Sequence, residues 1–561
     1  LLLAIVGGVL AVPRSAAPSP STGAPTPGPS ELAPVTYREG IVGTPTSINP
    51  VTARSRVDRT LVGLVFSGLV KRGSNNQFAP DLASSWTVDD AGTTWAFHLR
   101  DGATWQDGVP VTAADVVYTV EALKSPDAAG AVSSSWAEVD VRAVDDRTVE
   151  FRLASPIAGF LGAATQPLLP SHLLSDVPFA ALASDPFSLQ PVGTGPFALT
   201  ELDGTHAILQ PAALVAPPAQ DPGPGSSVDS LASLGPLATP AVPVPYLERI
   251  EFRFYPDSTA LAAALRDGEV DAASGLPPDQ VAALADAPGV ARLRYPTTTL
   301  SAVMLDLRST HAELRDARVR RALLAAINRD ALVKDVLNGN ALRADALVPP
   351  GSWAFDAAAV TSPSYSAKDA AALLADAGWK KQDGTWTAPG GKEPYRIELL
   401  TVPSDANPRL AGEAAAVRDA WTAFGIGVDL VQLPASELAD RLRAGTFGAA
   451  VVDIAMGFEP DLYPLLASAQ VRASGSNLAG YQDPALDTLL EAARAPGTPE
   501  ARTAAWDALL KALSDRQPIL PLAWMDEVVL VRGVEGMTPT LISGPGDRFG
   551  DVLAWRLAAD R

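Results

Sequence analysis

The feature that most restricts the fold is a repeated exchange between two hydrophobic periods, one of about 2 residues and one of about 3.6. In residues 93–100 (TTWAFHLR) alternation places Trp95, Phe97 and Leu99 on one face, as a half-buried strand requires. Turn dipeptides at Asp101-Gly102 and Asp107-Gly108 then bracket a short second strand. Thr112, with Asp115 three residues on, predicts a capping box, and Val116, Val117, Val120 and Leu123 supply the buried stripe of its helix. Ile250, Phe252 and Phe254 mark a further strand, and Asp257-Ser258 starts a helix with Leu261 and Leu265 that stops at Gly268. Helical spacing returns at Val319, Leu323, Ala326 and Ile327. It recurs at Leu373 and Leu374, between the cap Ser366/Asp369 and the stop Gly378. Leu410, Ala414, Val417, Trp421 and Phe424 follow, ending at Gly425 before the strand pattern Val428-Asp429-Leu430. Strands that alternate with helices in this way define a mixed α/β chain. With 561 residues, and roughly 100–200 per domain, two or three lobes are expected.

Two stretches break the texture. Residues 1–12 (LLLAIVGGVLAV) are apolar and uncharged, shorter than the roughly 20 residues of a bilayer span. They suit a signal peptide's apolar region, with Ser15-Ala16-Ala17 as a poor cleavage point, or equally a signal-anchor whose first turns are missing. Either reading means export. Residues 13–35 form a proline-rich linker that cannot build a helix or a core. The second stretch, 211–245, is dominated by Ala, Pro, Gly and Ser and interrupts the strand-like segments 197–209 and 246–254. It is expected to be a disordered excursion on the surface of one lobe.

Charge and residue inventory exclude several chemistries. Lys and Arg number 43 against 63 Asp and Glu, a net charge of −20 that repels phosphate backbones and excludes nucleic acid as a partner. Cysteine is absent, which removes disulfides, thiolate metal sites, cysteine nucleophiles and lipid-modified cysteine together. The four histidines (His98, His172, His206, His311) have no i+4 partner, so no zinc motif and no metal site is assigned. Neither a G-x-S-x-G elbow nor a Walker A loop occurs. Gly193-Thr194-Gly195-Pro196 lacks the later glycine of a phosphate cradle, and Pro196 removes an amide, so it predicts a sharp backbone crossing. The pairs Asp89-Asp90 and Asp145-Asp146 lie in turns and are expected to be solvated turn formers. No catalytic residue and no cofactor is assigned.

The specific signal lies in an ordered set of blocks. Residues 44–50 (TPTSINP) and 64–70 (LVFSGLV) are followed by the long run 80–118 (PDLASSWTVDDAGTTWAFHLRDGATWQDGVPVTAADVVY). Then come Val192 to Phe197 (VGTGPF), Gly268 to Asp271 (GEVD), Val319 to Leu323 (VRRAL), Ile327-Asn328-Arg329, residues 370–379 (AAALLADAGW), 481–489 (YQDPALDTL) and 518–521 (PILP). In this order, across about residues 36–558, they resemble the family 5 extracellular solute-binding proteins, the oligopeptide-, dipeptide- and nickel-type receptors of ABC importers.

The resemblance implies a two-lobed, periplasmic-binding-protein-like α/β fold (type II, class C) with an extra subdomain in the first lobe. It implies a first lobe over 36–299 with the subdomain at about 76–190, a second lobe over 300–513, and a C-terminal return to the first lobe over 514–561. It further implies an extracytoplasmic, monomeric receptor that captures peptides or peptide-like solutes by hinge closure and hands them to permease subunits. The alternative is a sensory or scaffold module of the same fold without transport. In peptide-binding members an aspartate pairs with the ligand's α-ammonium. Here the corresponding stretch, 452–464 (VDIAMGFEPDLYP), has Ile454 at the family's tryptophan and Gly457 at that aspartate. The anchor is thus missing or displaced to Asp453, Glu459 or Asp461. Family position also places Ser47, Ser67, Thr299, Trp353, Met456, Phe458 and Asn477 near the ligand. Where the family has an N-P-x-Y-W-x-G run, this chain has its low-complexity insertion.

Overall fold

The structure, a computed structural model, describes residues 35–558 apart from 74–76, 90, 130–135, 137–138, 158, 213–245, 473–474 and 496. The apolar segment 1–12, expected to direct export, the linker residues up to 34 and nearly all of the 211–245 insertion therefore lie outside the described residues.

Local chemistry sets the element ends. The helix Ala113–Lys124 opens on the expected box, with the Thr112 N–H donating to Asp115 Oδ2 at 2.8 Å. Asp257 accepts from the Ala260 N–H at 2.9 Å to start Ser258–Asp267, which ends at Gly268 with φ 75°. The helix Pro408–Phe424 buries Leu410, Ala414, Val417, Trp421 and Phe424 and stops at Gly425, φ 104°. Only glycine tolerates such angles cheaply.

Two expected strands come out differently. Between Asp101-Gly102 and Asp107-Gly108 there is no strand, only a bridge from Thr104 to Pro110. The chain curls there around the buried Trp105, whose indole N–H donates to Asp115 Oδ2 at 3.3 Å. The segment 197–209 is not one strand but a hairpin, Phe197–Leu202 against His206–Pro211. Asp203 makes the turn by accepting from the N–H groups of Thr205 (2.6 Å) and His206 (2.9 Å).

Among the described residues, eleven strands join in one sheet. From one edge it runs Gly427–Gln432, Arg396–Thr401, Ala449–Ala455, Val290–Leu305, Leu520–Arg532, Ala272–Ser274, Thr36–Val42, Arg249–Tyr255, His206–Pro211 and Phe197–Leu202, with Ala341–Arg343 also on Leu520–Arg532. A separate four-stranded sheet, Ala83–Val88, Thr94–Leu99, Thr148–Leu153 and Val139–Ala143, carries the helix Ala113–Lys124.

Hydrophobic packing divides this sheet into two lobes. One core collects residues from Leu300 to Trp524; the other takes Tyr37 to Tyr295 together with Val529 to Trp555. A smaller cluster on the opposite face of the first lobe uses Leu261, Leu265, Val528 and Leu530. The chain therefore crosses twice, once between Tyr295 and Leu300 and once between Trp524 and Val528. At 3.2–3.4 Å per residue, the 16-residue strand Val290–Leu305 spans about 50 Å, enough to belong to both lobes. Its ladder with Leu520–Arg532 slips between Pro296 and Leu300, at the crossing itself. Within the strand Leu520–Arg532, Leu520, Leu522, Ala523 and Trp524 pack with the second core and Val529 and Val531 with the first.

The C-terminal return is held by a buried charge network. Glu39 and Arg548 are both fully buried, with Arg548 Nη2 donating to Glu39 Oε1 at 2.5 Å. Ser274 Oγ donates to the same oxygen at 2.7 Å, and the Tyr37 hydroxyl to Oε2 at 2.8 Å. The Gly193–Pro196 segment is the predicted close crossing: the Gly195 N–H donates to the Val65 carbonyl at 2.8 Å, and a Cβ on Gly193 would overlap that oxygen.

Removing one partner of a buried pair strands the other charge, at a cost of about 3–5 kcal/mol. Arg548→Met is expected to lower stability by that amount in urea denaturation. The double variant Glu39→Leu/Arg548→Met is expected to lose less than the sum of its single variants.

Candidate functional site

The candidate site is the contact between the two lobes, and the loop after the strand Ala449–Ala455 builds its second-lobe side. Met456 ties this loop to the crossing strand: its N–H donates to the Thr298 carbonyl at 3.0 Å, and its own carbonyl accepts from the Thr298 hydroxyl. With its root fixed there, the loop carries Phe458 and Glu459 against the first lobe. A Cβ built on Gly159 would come within 2.7 Å of the Glu459 Cβ, so glycine is what admits the loop. Phe160, the next residue, is buried among Trp95 (5.6 Å between ring centroids), Phe151 (5.2 Å) and Trp136 (5.9 Å), which holds that turn in place. Arg72, at the end of the strand Val70–Arg72, lays its guanidinium 3.9 Å over the Phe458 ring and donates from Nη1 to the Leu541 carbonyl at 2.8 Å.

Glu459 has partners from its own lobe. The Trp353 indole N–H donates to its two oxygens at 3.1 and 3.2 Å, and Arg502 Nη2 to Oε2 at 3.1 Å. Arg502 also sits 4.2 Å over the Trp353 ring. Burial pushes the Glu459 carboxyl above its ordinary value, against the pull of Arg502, the Trp353 indole and Arg72. The same burial lowers Arg72 to about 10, although Asp547 and Glu459 act in the opposite sense.

The other acids of the segment are also paired. Asp453 bonds Arg409, which in turn holds the buried Glu413 at 2.6 Å; Ser301 donates to Glu413 as well. Asp461 accepts from the Tyr463 N–H at 3.0 Å and pairs with Arg494 at 3.1 Å.

The remaining residues expected near a ligand divide by availability. Thr299 is half-buried in the crossing, its N–H donating to the Thr297 hydroxyl at 3.1 Å. Trp353 is 37% exposed at the lobe contact. Ser67 is half-buried, with its N–H on Thr194 Oγ1 at 3.1 Å. Ser47 is buried, its hydroxyl 2.5 Å from that of Thr52 and its N–H on Asp58. Asn477 is buried and spends its amide on Ala467 and Tyr481. These last two maintain turns, and neither offers a free polar atom to a solute. Among the described residues, no group of three or more His, Asp or Glu could hold a metal ion.

Sequence reasoning passed over Arg72, Arg409, Arg494 and Arg502. Arg409 did carry a signal: a cation in a helix's first turn opposes the macrodipole and implies a carboxylate nearby. Arg72, Arg494 and Arg502 have no local pattern.

The model of bacterial extracellular solute-binding proteins, family 5 (middle region), matches residues 77–474. The chain belongs to this family. Protein XP55 of Streptomyces lividans is 29% identical over 523 residues, covering 90% of this chain and 86% of that one. The dipeptide-binding protein of Escherichia coli is 25% identical over 512 residues, 86% of this chain and 88% of the relative. The structure of the oligopeptide-binding protein AppA of Bacillus subtilis with a nonapeptide superposes with a TM-score of 0.69 at 22% identity, covering 93% and 99% of the two chains. The fold is thus the two-lobed type II binding-protein fold, and the family is extracytoplasmic.

A carboxyl group raised above its ordinary 4.5 favours the native state fully below that pH and loses this contribution as pH rises through the raised value. Urea midpoints of the wild type are therefore expected to fall with pH from 4.5 upward more steeply than those of Glu459→Gln. Equal slopes would show that Glu459 titrates as an ordinary surface acid.

Proposed function

We propose that the protein is the solute receptor of an ABC importer, capturing a peptide or peptide-like solute between its lobes and presenting the closed form to permease subunits. The observation that carries this reading is the pairing of a two-strand crossing with a polar and aromatic lobe contact made by Arg72, Phe458, Glu459 and Trp353. Each lobe keeps its own core, so rotation about residues 295–300 and 524–528 disturbs few buried contacts. A solute touching both lobes favours the closed arrangement by its differential affinity for that state. The family's dipeptide- and oligopeptide-binding members support the peptide class.

The reading includes no chemical conversion of the solute. It places the first lobe at 36–295 with the return after 528, the subdomain at about 76–190, and the second lobe at 300–524. Residues 1–12 would direct export, either as a signal peptide that is removed or as an anchor that is retained, with 13–35 as the linker to the first lobe. Among the described residues, no helix is long and apolar enough to cross a membrane.

Isothermal titration of the purified protein against di- to pentapeptides is expected to give saturable binding, with a smaller radius of gyration in X-ray scattering when solute is present. Trp353→Phe is expected to remove much of the accompanying fluorescence change. No binding and no compaction with any solute would overturn the reading.

A further inference from the structure

The acids and bases at the lobe contact are not equivalent, and their pairing constrains what can bind. Asp453, Glu459 and Asp461 are each engaged by an arginine of the second lobe: Arg409, Arg502 and Arg494 respectively. An incoming ammonium would meet carboxylates that are already neutralised. To use Glu459 or Asp461 it would have to displace a guanidinium and leave that cation without its carboxylate, and to use Asp453 it would have to break the bridge that Arg409 makes between Asp453 and the buried Glu413; either is costly.

Arg72 is in the opposite condition. Among the described residues it forms no ion pair; its Nε is buried without a partner, and Leu541 takes one of its five N–H donors. One face of the guanidinium is covered by Phe458, so water is partly excluded. Asp547 and Glu459 act on it through space without bonding it, and Glu459 is already shared by Arg502 and Trp353. Arg72 and Arg502 are thus matched in number by Glu459 and Asp547, and what stands open at Arg72 is hydrogen-bonding capacity, since neither carboxylate bonds it. A planar carboxylate is the group that a guanidinium fork recognises best, through charge-assisted hydrogen bonds.

Resting on the receptor reading above, we infer that the solute presents a carboxylate to Arg72 and needs no free ammonium. Arg72 is then a specificity-determining residue supplied by the first lobe, and it meets the anion when the second lobe arrives with Phe458. Closure and recognition are coupled through the same guanidinium.

Three matched peptides separate the possibilities by isothermal titration: trialanine, N-acetyl-trialanine and trialanine amide. For the wild type, acetylation is expected to change Kd less than about threefold, whereas amidation weakens binding about 10- to 100-fold, the range of a charge-assisted hydrogen bond. Arg72→Met is expected to bind acid and amide alike, while Arg72→Lys keeps most of the preference. Thermal melting verifies that both variants are folded, and the wild-type comparison stands without them. An amide that binds as tightly as the acid, or a tenfold or greater loss on acetylation, overturns the inference and leaves the receptor reading intact. Failure of all three peptides to bind overturns the peptide reading and the inference with it.

Discussion

Two neighbouring strands, Val290–Leu305 and Leu520–Arg532, carry the backbone from one hydrophobic core into the other, and the rest of the molecule is arranged around that passage. Within each lobe the strands lie in a regular ladder with apolar side chains committed to a core. Between Pro296 and Leu300 the register slips, and the side chains there belong fully to neither. Hydrogen bonding keeps the two segments side by side, so relative motion of the lobes bends a pair of strands instead of tearing a packed interface. The loop that carries Phe458 and Glu459 is rooted through Met456 on Thr298 in this same passage, which ties the position of the lobe contact to the passage itself.

The polar groups are spent in two ways. Deep in the first lobe Arg548, Ser274 and Tyr37 all donate to Glu39 and fasten the C-terminal segment to the first strand. At the lobe contact the acids are bound to arginines of their own lobe, and Arg72 alone of the residues discussed there lacks such a partner. An acidic protein can thus offer a cationic point to a solute, because recognition depends on charges within a few ångströms and distant ones are screened.

Much of this architecture is legible in local pattern. The box at Thr112/Asp115, the stops at Gly268 and Gly425 and the stripe on Pro408–Phe424 follow from chemistry within one or two helical turns. The pattern fell short where a turn was written in side-chain hydrogen bonds, as at Asp203, or where one buried ring shaped a loop, as Trp105 does. At the site, family position led to Trp353, Met456, Phe458 and Glu459, which meet at or beside the lobe contact. Family position also led to Ser47 and Asn477, yet both serve turns, because such a position does not reveal how a side chain's hydrogen bonds are spent.

The sequence by itself determined the helices discussed above with their caps, the α/β class and the family, since each depends on spacing between near neighbours or on the order of motifs. It also narrowed the ammonium question to three acids in one short segment. Only the tertiary structure decided that all three are occupied, by partners 44, 43 and 33 residues away. Charge compensation falls off with distance in space, and folding brings together cations that no period or motif connects to the acids they neutralise.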